Sequence, residues 1–553
     1  MGEQGLSRRT FLTVSGATVG ALAAPGLLAA CSPKGTPTEA GTDGVLRVGW
    51  TSEPDVMNPF TLTSSAAAEI LALVYDKLME YDADINPVGA LAESSEYSAD
   101  GKSITYKLRD GVTWQDGKPF SAEDVVFTWE TIADNNLGEA AQYLQELTSI
   151  DVTDPNTVVA SFSKPQAFDP ALIISIVPQH IWGGMSGKDI QKFANEKPIG
   201  TGPFHFKKWT PGQSVDLTRN DDWWGEPPAA KTVTFVHFDS SDVMTQSMVG
   251  GELDVLSEVP PLLWDGLDST ENVTPVELES FSFHHIGMNV STNPKSRGNP
   301  LLLDKTIRQA LSLAVDRNQL VNLALAGHGL PGSVLLPAAF GDFQLEIPPD
   351  QQLNADPDRA QDMLDSGGYE MGPDGVRVSS KGEPLSFRLI AIQATDVDVR
   401  AGELFVTAAK NVGIELKLQT LDENTLDSLV YNAEAPDFDL YIWGWDSGTA
   451  DPSYMLGIPL TNQIGNNNDT YYSNPRYDEL YTKQATTVDK EDRIPIVHEM
   501  QQMYYEDCAY IIMWYQSKLQ AYRSNTWTGW KESPGGMVFN FTRNNYLNVT
   551  PAS

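Results

Sequence analysis

A mixed α/β fold is what this sequence of 553 residues predicts. Three observations point to it. Short β-type runs alternate with amphipathic stretches from Val45 onward, no long apolar span recurs beyond the first thirty residues, and no internal repeat of roughly 20 to 50 residues is apparent. Leu46-Arg47-Val48-Gly49-Trp50 reads as a first strand. Ser65 to Tyr81 carries Ile70, Leu71, Val74, Tyr75 and Leu78 at helical spacing, which predicts a helix. Ile104 to Leu108 alternates as a strand, and Asp110-Gly111 follows as a turn. Ser121 ahead of Glu123 and Asp124 has the form of an N-cap with an acidic first turn. Asp304 is placed to cap a helix over 305–325, where Ile307, Ala310, Leu311, Ala314 and Val315 recur at helical spacing.

Composition narrows the function. The chain has 37 Lys+Arg against 74 Asp+Glu, a formal charge of −37, with 41% apolar and 9% aromatic residues. The apolar content supports large cores, and the length calls for two or more domains or one with a large insertion. Nucleic-acid binding is not expected, because phosphate neutralisation needs clustered cations. An anionic bilayer should repel the body. Two cysteines cannot build a disulfide framework or a Cys-based zinc site. Cys508, within an apolar stretch from Tyr504 to Ile512, reads as a small buried hydrophobe.

The first thirty residues read as an export address. Arg8 and Arg9 precede a modest apolar run, resembling a twin-arginine signal, and Leu28-Ala29-Ala30-Cys31 resembles a lipoprotein signal-peptidase box. A single transmembrane anchor is the competing reading, diluted by the small and polar residues of that run. Cleavage would make Cys31 the first residue and the site of diacylglycerol attachment. It would remove Glu3, Arg8 and Arg9, leaving 35 basic and 73 acidic residues, a net charge of −38. Residues 31–44 are rich in Pro, Thr, Gly and Ser and are expected to be a flexible tether.

A family resemblance rests on several motifs in order. They are Leu73 to Leu78, Leu91-Ala92-Glu93, Asp100-Gly101-Lys102, Leu108 to Val125, Gly200 to Phe204, Arg219 to Trp224, Ile307 to Leu311 with Asp316-Arg317, and Gly444-Trp445 with Asp451-Pro452. Together they resemble the family 5 extracytoplasmic solute-binding proteins, the binding components of oligopeptide, dipeptide and nickel ABC importers. The resemblance spans about residues 45 to 540. It implies a two-lobed, type II (cluster C) periplasmic-binding-protein fold with an extra subdomain in lobe I. It also implies lobe I at 45–286 with a subdomain near 93–205, lobe II at 287–514, and a return to lobe I at 515–546. A hinged pair of lobes admits a solute and closes over it, provided both lobes contact the solute.

The same resemblance assigns a ligand cleft. Trp443, Trp445, Asp446, Ser447 and Gly448 correspond to the cleft-facing strand and loop of peptide-binding relatives. Gly448 stands where such relatives often carry an aspartate for the peptide α-amino group, so Asp446 is the candidate replacement, its competing role being a turn residue. No arginine precedes this strand to hold a ligand carboxylate. Tyr143, Tyr471 and Tyr472 add aromatic candidates, with core packing as their alternative. Thr63 and Ser64 fall in a cleft-lining loop, where a serine could equally cap the following helix. Asp451, before Pro452, reads as structural.

Other motifs fail on context. The glycines of 327–332 follow a helix and meet Pro331, His498-Glu499 lacks a second metal-binding histidine, and Pro87 replaces the turn glycine of a calcium loop beginning at Asp82. His284 and His285 face opposite sides of a strand. The reading is a lipid-anchored, monomeric, non-catalytic receptor without cofactor, held on the outer face of the bacterial cell membrane. It would capture peptides and deliver them to the permease and ATPase subunits of an ABC importer. An oligosaccharide receptor is the alternative, ahead of nickel binding and a secreted hydrolase.

Overall fold

The computed structural model describes residues 43–538 and 541–552. Arg8, Arg9, Cys31 and nearly all of the tether lie outside the described residues. Among the described residues no helix is long and apolar enough to cross a membrane.

The predicted elements form, with two revisions. Val45–Trp50 is a strand, parallel to Thr232–His237 on one side and Val255–Leu256 on the other. The first predicted helix is shorter than its apolar spacing suggests, running Ser65–Val74, and Met79–Tyr81 is a strand. The backbone of Gly202 donates to the Val74 carbonyl at 2.9 Å, and a Cβ on Gly200 would sit 1.9 Å from that oxygen. A distant glycine pair therefore packs across the helix end. The helix Ala122–Asn135 begins at Ser121 with a capping box closed by Asp124. The helix expected over 305–325 is two, Lys305–Ala314 and Arg317–Ala324, because Val315 is extended and Asp316 accepts from the Gln319 amide to cap a new start.

Among the described residues eleven strands make one mixed sheet. Two of them are long and lie side by side, antiparallel: a first crossing strand, Val273–Met288, and a second, Tyr510–Arg523. Residues 273–279 pair with 517–523, and residues 283–287 pair with 510–515. The ladder is irregular between these stretches, with Ser280, Phe281 and Ser282 opposite Gln516 alone.

Buried cores divide along the same line. One gathers residues 46–278 with 527–549, and a smaller one lies under the first half of the crossing pair around Leu256 and Leu519. Two others pack on either side of the second half, around Phe405 with Trp514 and around Phe283 with Tyr504. A separate four-stranded antiparallel sheet spans Ala92–Phe162, with the helix Ala122–Asn135 packed against it. This is a mixed α/β, two-lobed fold of the type II binding-protein kind, with the crossing strands continuous through both lobes.

Candidate functional site

Where the ladder of the crossing strands breaks, a cleft of about 1630 Å3 opens. One wall comes from residues 59–80, a second from the strand Leu440–Asp446 and the loop after it, and the floor from residues 280–284 and 516–519 of the crossing strands.

The strand Leu440–Asp446 carries the predicted ligand residues. One edge pairs fully with the first crossing strand, Gly444 opposite His284 and Trp445 opposite Phe283. On the other edge only Leu440 and Tyr441 have partners, Leu389 and Ile390. Beyond Tyr441 that edge is therefore unpaired among the described strands, where Trp443, Gly444, Trp445 and Asp446 line the cleft. Gly444 has a steric reason, since a Cβ there would lie 2.8 Å from the His284 ring. His284 faces the cleft, stacks on Trp514 at 16° and meets the Asp398 carboxylate at 3.1 Å, while His285 is fully buried on the other face.

Trp443 and Trp445 share a face, as period-two alternation requires. Both indole Nε1–H groups donate to the same oxygen, Asp469 Oδ2, each at 3.0 Å. The Tyr510 hydroxyl of the second crossing strand donates to Asp469 Oδ1. Asp469 is fully buried, and burial pushes its carboxyl up to about 6 against the opposing effect of these donors. His285 Nε2 lies 3.8 Å from Oδ2, but its own burial pushes it well below the usual imidazole range, so it stands by neutral.

The remaining predicted residues divide. Asp446 lines the cleft, is exposed, and has no side-chain hydrogen bond or ion pair among the described residues. Gly448 is exposed in the same wall, whereas the Ser447 hydroxyl is turned onto the Thr449 carbonyl at 2.6 Å. Thr63 and Ser64 line the cleft, yet their hydroxyls serve local structure. Thr63 donates to Asp55 at 2.8 Å, and Ser64 accepts from the Ala66 amide at 3.1 Å as the helix N-cap.

Tyr143 and Tyr472 are not among the residues that line the cleft. Tyr143 packs on Phe168 at 4.7 Å beside the four-stranded sheet. Tyr472 is buried with its hydroxyl on Asp507 at 2.8 Å and its ring edge-on to Tyr477 and Tyr504. Tyr471 is likewise buried, its hydroxyl on the Val430 carbonyl. Asp451 forms a bidentate buried pair with Arg493 at 2.7 and 2.8 Å.

Cations also line the cleft. Arg543 is held by Asp76 at 2.6 Å and Glu80 at 2.8 Å. Lys77 and Lys518, both half-buried in the lining, make no ion pair within 4.0 Å among the described residues. Burial pushes the Lys77 ammonium down to about 8, against the pull of Glu80. Asp398, Asp469 and these lysines escaped the sequence reading, because the contacts that define them join positions far apart in the chain.

The chain is similar to known proteins over most of its length. The model of bacterial extracellular solute-binding proteins, family 5 (middle), matches residues 86–467. The oligopeptide-binding protein AppA of Bacillus subtilis is 27% identical over 509 residues, 90% of this chain and 91% of that protein. The solved structure of that protein in complex with a nonapeptide aligns at TM-score 0.74 and 26% identity, covering 92% of this chain and 99% of that one. NikZ from Campylobacter jejuni, in complex with Ni(L-His), shares the fold at TM-score 0.77 and 22% identity, with the same coverage. A match across more than half of the chain, on a two-lobed fold with a cleft at the lobe junction, establishes that the protein belongs to the family 5 bacterial extracellular solute-binding proteins.

Proposed function

We propose that the protein captures peptides in this cleft and delivers them to the permease of an ABC importer. The observation that carries the reading is the unpaired edge of the strand Leu440–Asp446 in the cleft wall. Such an edge offers main-chain donors and acceptors to an extended peptide, a mode of recognition tolerant of sequence. Indole surfaces beside it suit side chains of many shapes. Asp446, without a partner, is the anchor for a ligand ammonium. Lys77, from the wall of residues 59–80, and Lys518, from the floor, are suited to a ligand carboxylate. The peptide bound by the Bacillus subtilis relative supports this choice of ligand.

In this reading lobe I is 45–286 with 515–546, its subdomain is about 93–205, and lobe II is 287–514. Closure uses the two irregularities of the crossing ladder beside these boundaries, one between Glu279 and Phe283 and one between His284 and His285. The monomer is exported by the twin-arginine route and tethered to the outer face of the cell membrane through Cys31. Its task is binding and presentation without catalysis.

Thermal shift of the body from residue 45 onward tests the ligand class, since a ligand that prefers the native state raises the melting temperature. Peptides should stabilise, and oligosaccharides and nickel-histidine should not. Stabilisation by oligosaccharides alone would replace the peptide reading with a sugar receptor. Export and anchoring are checked separately by labelling whole cells with a radioactive fatty acid, which should mark the wild type and miss a Cys31→Ser variant.

A further inference from the structure

We infer that Asp469 is a positioning residue for ligand binding, a single buried carboxylate that fixes the orientation of both cleft tryptophans and ties them to the crossing strands. The inference rests on the peptide-capture reading of the cleft and deepens it. Two indoles that donate to one oxygen at 3.0 Å each cannot rotate independently. The other oxygen receives Tyr510 from the second crossing strand. The wall against which a ligand packs and a strand that runs through both lobes thus share one acceptor.

The loop that carries Asp469 is itself immobilised. Asn468, fully buried beside it, donates through Nδ2 to the carbonyls of Pro459, Leu460 and Tyr472 at 3.1, 2.9 and 2.8 Å. Packing alone does not call for this arrangement. An apolar side chain would fill the volume without the desolvation cost of a buried carboxylate, which is tolerated only when donors converge on it. What the carboxylate adds is direction: it turns both indole N–H edges inward. An indole that spends its N–H on the protein presents only ring surface to a ligand, which suits side chains of varied chemistry.

The groups packed around Asp469 are few. They are Trp443, Trp445 and Tyr441 from the cleft strand, His285 from the first crossing strand, Tyr510 from the second, Tyr504 from the helix Lys490–Asp507, Tyr431 at the end of the helix Glu423–Val430, and Tyr471 two residues along its own loop. The tyrosines are pushed well above their ordinary value by burial and His285 well below, so near neutral pH Asp469 is the group in this cluster that changes charge. Protonation weakens the charge-assisted bonds to the indoles. Ligand affinity is then expected to fall as pH drops through about 6.

The test compares full-length wild type with Asp469→Asn. Intrinsic tryptophan fluorescence, followed without ligand from neutral to mildly acid pH, should show a transition in the wild type that Asp469→Asn lacks. A mixed oligopeptide pool then supplies a binding probe by co-purification. Its affinity for the wild type should weaken several-fold across the same pH range. In Asp469→Asn it should be about tenfold weaker at neutral pH and independent of pH, with the melting temperature retained. In a Trp443→Phe/Trp445→Phe background, Asp469→Asn should change affinity no further, since the residue acts through those rings. Equal affinity and equal pH profile in the wild type and Asp469→Asn would overturn the inference, as would an undiminished effect without the tryptophans. Should Asp469→Asn fail to fold, the pH profile of the wild type against the double tryptophan variant decides: the same affinity loss on acidification in both overturns it. If no peptide in the pool binds the wild type, the peptide reading fails, and the fluorescence transition still reports whether Asp469 holds the indoles.

Discussion

Arg493 and Asp451 bind each other through two hydrogen bonds, with side chains only 4% and 10% exposed, and Arg493 also reaches Gln484 and Ser453. Burial pushes the Asp451 carboxyl up, and the guanidinium outweighs this and leaves it below its usual value. Removing one partner strands the other charge in the interior. Arg493→Met is therefore expected to destabilise the fold by about 3–5 kcal/mol, measured by urea denaturation. Ser64→Ala separates a cap from a ligand contact: it should lower stability by about 1 kcal/mol and leave peptide affinity unchanged. A loss of affinity with no loss of stability would make the hydroxyl a ligand group. Lys77→Met addresses the same wall. The wild type should prefer a free-acid peptide to its C-terminal amide, and the variant should lose that preference; equal binding of acid and amide by the wild type would exclude Lys77 as a carboxylate anchor. These residues also show what one dimension of sequence conveys. That Trp443, Trp445 and Asp446 line one wall was readable because a strand's alternation and a family motif coincide there. The placement of Tyr143 and Tyr472 was not, because aromatic density does not say which face a ring occupies. Asp469 sits in a polar run, Asn466 to Thr470, that reads as a surface turn. Only contacts with residues 443, 445 and 510 reveal it as a core carboxylate.

Local signals settle the starts of elements better than their ends. Ser121 and Asp304 cap helices as the sequence implies. The helix from Ser65 stops short because a segment more than a hundred residues away takes the Val74 carbonyl, a long-range fact that apolar spacing does not encode. The break at Val315 was legible in principle, since Asp316 is a good N-cap placed inside an apolar pattern. The crossing strands pose the same problem at larger scale. Nothing in Glu279-Ser280-Phe281-Ser282 marks a ladder irregularity, which becomes visible only against Gln516. In this stretch the Ser282 amide donates to the Ser280 hydroxyl at 3.2 Å, and the Phe281 carbonyl accepts from Ser447 at 3.3 Å. Such bonds hold less well than a continuous ladder. Hydrogen–deuterium exchange should therefore show faster exchange at 280–282 and 516–517 than at 283–287 and 511–515, with protection gained when peptide binds. Uniform protection along both strands, unchanged by ligand, would place the bending elsewhere.

Across the whole molecule the excess of acid groups and two buried carboxylates act in one direction. Asp254 and Asp469 are both fully buried, and burial pushes each up to about 6. Asp254 accepts from the Arg47 amide at 2.8 Å and has the Arg47 guanidinium 3.8 Å away, and these together with Thr526 do not offset its loss of water. A carboxyl whose folded value lies above its unfolded one binds protons more readily in the native state. Its contribution is fully present below the unfolded value of 3.8 and is lost as pH rises through about 6. A shift of this size corresponds to about 3 kcal/mol for each group. The formal charge of −37 adds self-repulsion that also eases as carboxylates protonate. Carboxyls held below their usual value, Asp451 among them, work the other way only toward and below the ordinary carboxylate range, whereas His285 and His205, which burial holds below the usual imidazole value of 6.5, oppose the gain as pH falls through that value. The two carboxyls should therefore add stability as pH falls from about 7.5 to about 5, against the loss from the two histidines, and the protein should lose stability in stronger acid. Scanning calorimetry across that range checks the sign. Asp254→Asn removes one titration without adding a buried charge, so it should raise stability near neutral pH and flatten the slope below it. A melting temperature that declines steadily from neutral pH to 5 would show that these two carboxylates do not govern the acid response.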